Sequence, residues 1–403
     1  MRRIVWFLVL STCLTIAMLN IWLVTPAGGQ LRQTSRPIRQ VISYTAWDGS
    51  TRQAVLLLPA GYLRTCTARL PLVISPHGRG MSDMSIAASW GRLPSIDCFA
   101  VVCPAGEGAR LPDYSWAAPG QISDLARMPR IVERAVPWVR IDRRRVYAVG
   151  PSMGGEEALV LAAEHPDRIA AAASIDGLAD LGTRFYEMPC SRRTGRCVLH
   201  DMAVECGGTP AQRPLDYALR SPLSYAANLS FDRVPIELWW SRRDQVVVDQ
   251  ASHQSGLLYR TIRRLNPAAP VRQIVTDDQH CAAFCPGIAL KQVVTFLRPD
   301  GHWRRVPLSP PRDWRLRCGT SRAVLWSCRF RTTGPLDGFW EARRTAPGTV
   351  VVETPAPMMV TLPCPTTRRF VRVMIGGIER RETARRGTIR LLLPPGRTRI
   401  VVL

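Results

Sequence analysis

A serine hydroxyl attacks a carbonyl only when the backbone lifts it clear of its surroundings and a base removes its proton. Gly150-Pro151-Ser152-Met153-Gly154 fits the first requirement. It follows an apolar strand-like stretch, Arg145–Val149, and precedes a helix-forming one, Gly154–Glu164. Glycines two before and two after the serine leave room for a tight strand-to-helix turn. The helix that follows aims its first amides at the point where an oxyanion would develop. The competing reading is an ordinary Gly-rich turn in which Ser152 caps the helix.

Further residues complete that chemistry. His77-Gly78-Arg79-Gly80 ends the run Leu70–Ser75, and a Gly-rich turn there can point the amides of Gly78 and Arg79 at a bound carbonyl oxygen, with Met153 N–H as the second donor. His77 itself reads as structural. Asp244 follows the apolar strand Val234–Trp240, and His280 follows the next one, Val271–Val275. Both therefore fall at strand C-terminal ends, where ligand chemistry gathers in open α/β sheets. The order Ser152, Asp244, His280 suits a proton relay in which His280 takes the serine proton and Asp244 holds the ring. Asp176, which ends the strand Ile169–Ile175, is the rival acid. His77, His165, His200, His253 and His302 do not follow a late strand as His280 does. Trp116 and Trp240 are candidates for a substrate pocket, with core packing as the alternative. Core use is the simpler reading of Trp303, Trp314, Trp326 and Trp340 as well. No CxxC pair exists, so a zinc site is not expected, and no cofactor is implied.

These residues need a scaffold, and the periodicity supplies one. Val41–Ala46 and Gln53–Leu58 read as a hairpin, and Leu70–Ser75 and Cys98–Cys103 as further strands. Gln121–Val139, Gly154–Glu164, Gln250–Leu265 and Gly287–Leu297 read as helices. Apolar strands alternating with amphipathic helices predict a mostly parallel sheet flanked by helices over residues 40–298. Gly177 to about Ser221 breaks the rhythm, carries three cysteines and reads as an insertion. From about Pro299 to Leu403, short β-prone pieces between Pro/Gly turns (Trp314–Arg317, Ala323–Arg331, Thr349–Val352, Phe370–Met374, Thr388–Leu392, Thr398–Leu403) predict a small all-β C-terminal domain.

The surroundings of the protein are also written in the chain. Its 403 residues carry a formal charge of +23, nearly all of it arginine; Lys291 is the lone lysine. Such a surface attracts anions, and with no nucleic-acid motif present a solubilising or loosely wall- or membrane-associated surface is the better expectation. Arg2-Arg3, the apolar run Ile4–Val24 and Thr25-Pro26-Ala27 read as an export signal over residues 1–27. The run is also long enough for a signal anchor, and a polar spacer, 28–39, follows it. Either way the remainder lies outside the cytoplasm. Of twelve cysteines, Cys13 is in the signal; the rest include the near pairs Cys98/Cys103, Cys281/Cys285 and Cys318/Cys328, which suggests disulfides. Asn228-Leu229-Ser230 is a glycosylation triplet whose use depends on the host.

The segments PLVISPHGRG, VYAVGPSMGGEEALVLAAEHPDRIAAAASIDG, SPLSYAANL, VPIELWWSRRDQVV and TDDQH resemble α/β-hydrolase esterases and prolyl-oligopeptidase-type catalytic domains, and among these look close to secreted polyhydroxybutyrate-depolymerase-like and feruloyl-esterase-like proteins. The resemblance runs from Gln40 to Leu297. It implies an α/β-hydrolase fold, a Ser152–Asp244–His280 triad, an oxyanion region at Gly78–Gly80 and Met153, and an ester-bearing small molecule or polymer as substrate. A prolyl-oligopeptidase-type peptidase, an acyltransferase acting on envelope alcohols and an inactive hydrolase-fold binding protein are the alternatives.

Overall fold

The computed structural model describes residues 36–62, 66, 69–187, 198–282, 284, 287–364 and 369–403. The expected export segment lies outside them, as do Cys13, Cys190, Cys197 and Cys285. Among the described residues no helix is long and apolar enough to cross a membrane.

An eight-stranded sheet, ordered β1-β2-β4-β3-β5-β6-β7-β8, forms the centre. Its strands are β1 Ile38–Thr45, β2 Thr51–Leu58, β3 Leu70–Ile74, β4 Ala100–Pro104, β5 Ile141–Pro151, β6 Ala171–Ile175, β7 Ile236–Ser241 and β8 Val271–Thr276. β1 and β2 are antiparallel, and β2 is antiparallel to β4. From β4 to β8 every pairing is parallel. The near-continuous apolar runs of β3, β4 and β6 are what a sheet covered on both faces requires. Alternation then sorts them: Leu72, Ile74 and Ala148 enter one core, and Val73, Tyr147 and Val149 the other. Burying each such Val, Leu or Ile contributes about 1.5–3 kcal/mol. The parallel direction brings the ends of β5, β6, β7 and β8 to one edge, so Ser152, Asp176, Asp244 and His280 share it.

Several elements differ from the expectation. The Gln250–Leu265 helix breaks into Gln250–His253 and Ser255–Leu265 at Gln254 (φ −119°, ψ −121°). Gln254 is buried at the break, and its Oε1 accepts the amides of Ala179 (2.8 Å) and Asp180 (3.0 Å), so the kink serves a tertiary brace. The helix expected over Gln121–Val139 runs Pro119–Ala135. The insertion is helical where described, with Leu181–Glu187, Val198–Cys206 and Pro214–Arg220. Cys98 is bonded to Cys66, 32 residues away, and the near partner Cys103 is a buried free thiol on β4. Cys318 and Cys328 are buried and not bonded to each other.

The C-terminal region is a two-sheet sandwich. Its strands are β9 Arg315–Cys318, β10 Arg322–Leu325, β11 Cys328–Thr332, β12 Trp340–Ala346, β13 Thr349–Thr354, β14 Met358–Pro363, β15 Phe370–Ile375, β16 Ile378–Thr383, β17 Thr388–Leu393 and β18 Gly396–Val402. One sheet runs β10-β11-β14-β17 and the other β16-β15-β18-β13-β12-β9, all antiparallel. The single strand expected at Ala323–Arg331 is a hairpin, because Trp326 takes φ 49° at the turn. Trp314 and Trp340 fill the core between the sheets, with Trp326 packed against it. Asn228 ties this region to the first: it is fully buried, and its Nδ2 donates to Ala163 O (3.0 Å) and Arg317 O (3.1 Å). The folded chain therefore offers no side chain for glycosylation there.

Candidate active site

Ser152 stands between β5 and the helix Met153–Glu164 with φ 52° and ψ −125°. An L-residue held there costs about 1–3 kcal/mol, which the surrounding packing must over-determine. That packing depends on glycine. A Cβ on Gly150 would lie 2.4 Å from the Gly154 carbonyl carbon, and one on Gly154 would lie 2.2 Å from Pro76 O. The Ser152 side chain makes no cap hydrogen bond, and its backbone is not the extended one of a cap, so the helix-cap reading fails. The Ser152 amide donates to Ile175 O (2.8 Å), fastening the turn to the end of β6.

The His77–Gly80 turn packs against this elbow. A Cβ on Gly78 would touch Ser152 Cβ at 3.4 Å. His77 is buried and braces the turn: Nδ1 lies 2.9 Å from Gly78 O and Nε2 2.5 Å from Ala105 O. The amide of Met153 opens the helix, where backbone N–H groups have no intrahelical acceptor. Gly78 and Met153 thus border the serine, with Arg79 next to Gly78 in the same turn.

The base and acid meet at the same edge. His280 Nδ1 is 2.7 Å from Asp244 Oδ2. The buried Asp244 also accepts Val246 N (2.9 Å) and Val247 N (2.8 Å) on Oδ1, and Gln250 Nε2 (3.3 Å) on Oδ2. A ring that donates from Nδ1 presents a bare Nε2, the acceptor a serine proton needs. No hydrogen bond joins Ser152 Oγ to the ring, and such contacts commonly tighten only around a substrate.

Asp176 does not contact His280 as its acid. Its Oδ1 accepts Ser241 N (2.7 Å), and its Oδ2 accepts Cys281 N (2.7 Å) and Ser241 Oγ (3.1 Å). Burial, and then the neighbouring Asp244 charge, push its carboxyl above the usual range. Ile175 therefore holds Ser152 while Asp176 holds the residue after His280. Sequence reasoning considered Asp176 only as a rival acid; its position at a strand end was the available signal. The three groups Asp176, His280 and Cys281 have metal-ligating atoms within 4.8 Å of one another, but these hydrogen bonds already account for the cluster.

The insertion closes over the elbow. Trp116, Met153, Leu178, Leu181, Phe185, Met202, Cys206, Tyr217 and Val247 form one buried cluster. Trp116 sits in it with φ 43°. Arg220 Nη1 donates to Ser115 O (2.7 Å) and Trp116 O (3.2 Å), and its Nη2 reaches Glu205 Oε1 (3.2 Å). Glu205 in turn accepts the amides of Ala109 (2.7 Å), Arg110 (2.8 Å) and Leu111 (3.1 Å). Nothing in the local sequence marked this Glu205–Arg220 clamp, since it joins two helices to a distant loop. Trp240 lies apart from the cluster: its Nε1 donates to Gln273 Oε1 (3.2 Å) on the edge strand β8. Behind the serine, Glu157 accepts Ser115 Oγ, and Glu156 has no hydrogen-bond partner on either oxygen among the described residues. Burial pushes both carboxyls up.

The fold matches that of uncomplexed Pyrococcus horikoshii acylaminoacyl peptidase, with a TM-score of 0.50 and 17% identity over 67% of this chain and 42% of that one. The chain therefore has the α/β-hydrolase fold. The chain is also 34% identical over 115 residues to a Nocardia uniformis subsp. tsuyamanensis protein named "Putative esterase NocK", covering 27% of this chain and 33% of that protein. It is 32% identical over 117 residues to poly(3-hydroxyalkanoate) depolymerase C of Paucimonas lemoignei, covering 27% and 28% respectively. The matches thus span about a third of the relatives' length. No family model matches the chain.

Proposed function

We propose that this α/β-hydrolase is an exported serine hydrolase that cleaves carboxylic esters through Ser152, His280 and Asp244. The observation that carries the reading is the His280–Asp244 pair, set at 2.7 Å on the strand edge that also bears the strained Ser152. Ser152 Oγ attacks the ester carbonyl while His280 Nε2 takes its proton, and Asp244 supports the imidazolium that results. The amides of Met153 and of the Gly78–Arg79 turn receive the oxyanion. The carbon–oxygen bond to the alcohol breaks, His280 returns the proton to that alcohol, and acyl-Ser152 remains. Water then repeats the sequence and frees the acid.

The names of the two relatives, an esterase and a polyester depolymerase, support an ester as the bond cleaved and an ester-bearing small molecule or polymer as the substrate. The N-terminal sequence and the Cys66–Cys98 bond support export to an oxidising compartment. Rapid mixing with a p-nitrophenyl ester tests the mechanism. An accumulating acyl-enzyme gives a burst of nitrophenol, stoichiometric with protein and absent from Ser152→Ala; hydrolysis that is unchanged in Ser152→Ala overturns it.

A further inference from the structure

The two outer faces of the C-terminal sandwich carry charge differently. In the six-stranded sheet carboxylates stand among the outward arginines, although one row, Arg399–Val351–Arg343–Arg315, has none. Arg397 and Arg317 sit in one cross-strand row with Glu353 and Glu341, and Arg372 pairs with Glu379 at 3.5 Å. In the four-stranded sheet the register places two rows outward. One is Arg322–Arg331–Met359–Leu392, and the other Val324–Arg329–Thr361–Arg390. All four arginines are exposed, and none has an ion-pair partner among the described residues. Neither row contains a carboxylate. Arg322 and Arg331 face each other directly, and like charges so placed are unfavourable unless something else neutralises them.

Aliphatic side chains interleave with these charges. Leu392 is 63% exposed and Val324 38%, with the half-buried Met359 between the arginine pair and Leu392. A soluble polyanion would meet the guanidinium groups but gain nothing from Leu392. A bilayer rich in acidic lipid satisfies both: phosphates take the arginines, and the aliphatic side chains enter the headgroup boundary.

We propose that the outer face of the β10-β11-β14-β17 sheet is a docking surface for an anionic lipid bilayer. This rests on the strand register and side-chain chemistry, independently of the reaction at Ser152. Each arginine near an acidic membrane strengthens binding about fivefold, so removing two weakens it about 30-fold. The attraction is screened by salt beyond about 10 Å at 0.1 M.

The test uses the full chain and vesicles of phosphatidylcholine with and without phosphatidylglycerol. The N-terminal apolar run contributes equally to every variant, so the readout is the ratio of partition onto acidic and neutral vesicles. Arg322→Gln/Arg331→Gln lowers that ratio by about 30-fold. Arg372→Gln/Arg399→Gln, which removes the same net charge from the opposite face, leaves it within about twofold. Leu392→Ser weakens partition onto acidic vesicles without altering the salt dependence. Equal losses from the two arginine pairs would mean that net charge alone acts, and would overturn the assignment to this face. An unchanged Leu392→Ser, with the Arg322/Arg331 loss reproduced by soluble polyphosphate in place of vesicles, would overturn the bilayer as the partner.

Discussion

Asp244 and Asp176 lie near the same histidine, and exchanging each for asparagine separates their roles. In Asp244→Asn the amide keeps one oxygen. That oxygen stays with the amides of Val246 and Val247, which now meet Oδ1 at 2.9 and 2.8 Å. The new NH2 then faces His280 Nδ1, which can only accept from it. The ring proton moves to Nε2, where it blocks removal of the Ser152 proton. Such a tautomer exchange lowers kcat about 10⁴-fold, or about 5.5 kcal/mol of transition-state stabilisation. In Asp176→Asn the His280–Asp244 contact survives. One backbone amide, Ser241 or Cys281, faces an NH2 instead of an oxygen, at a cost of about 1.5–3 kcal/mol. Displacing the His280 turn by a fraction of an ångström costs about 10–100-fold in kcat. Turnover of a p-nitrophenyl ester, with thermal melting of each variant alongside, reads both effects. The reasoning is refuted if Asp176→Asn loses the four orders of magnitude while Asp244→Asn stays active.

Four further outcomes follow from named contacts. Gly154→Ala would press a Cβ to 2.2 Å from Pro76 O, so fluorophosphonate labelling should vanish and the melting temperature fall. Opening the Cys66–Cys98 bond by serine substitution frees a loop of 32 residues and should cost about 3–4 kcal/mol in urea unfolding, if both states otherwise keep their structure. Glu205→Ala leaves Arg220 buried without its carboxylate and frees three loop amides; stability should drop by about 3–5 kcal/mol in urea unfolding. Burial pushes the Glu164 carboxyl up to about 7 from 4.5, and Tyr225 Oη lies 3.1 Å from it while also 2.9 Å from Leu219 O. The folded state therefore holds a proton that the unfolded chain loses, so this group's stabilisation is present below pH 4.5 and declines until about pH 7. Across that window wild type should lose about 3 kcal/mol relative to Glu164→Gln in parallel denaturation series; identical pH profiles would contradict the assignment.

Much of the scaffold was legible because it rests on local pattern. Strands such as Leu70–Ile74 and Ala171–Ile175 are short apolar runs bounded by turns, and the helix after Ser152 has glycines only where backbones touch. The serine, the late histidine and the acid were readable because each follows a strand whose parallel direction brings it to one edge. What escaped depends on tertiary partners. The break at Gln254 exists because its amide braces Ala179 and Asp180, and no periodicity reports that. The Cys66–Cys98 bond joins the chain ahead of β3 to the chain ahead of its sheet neighbour β4, a pairing that cysteine spacing does not encode. The Glu205–Arg220 clamp and the hold of Asp176 on Cys281 join residues far apart in the chain. Trp116 and Trp240 looked equivalent as pocket aromatics, yet one packs beside Met153 and the other bonds to an edge strand.

The central claim is that Ser152 is an activated nucleophile. The direct measurement is the mass of the intact chain after reaction with a fluorophosphonate, followed by peptide mapping of the adduct. The account predicts one adduct per chain, on Ser152, lost in Ser152→Ala and slowed in His280→Ala. A folded protein that takes up no reagent, or takes it up on another serine, would contradict it.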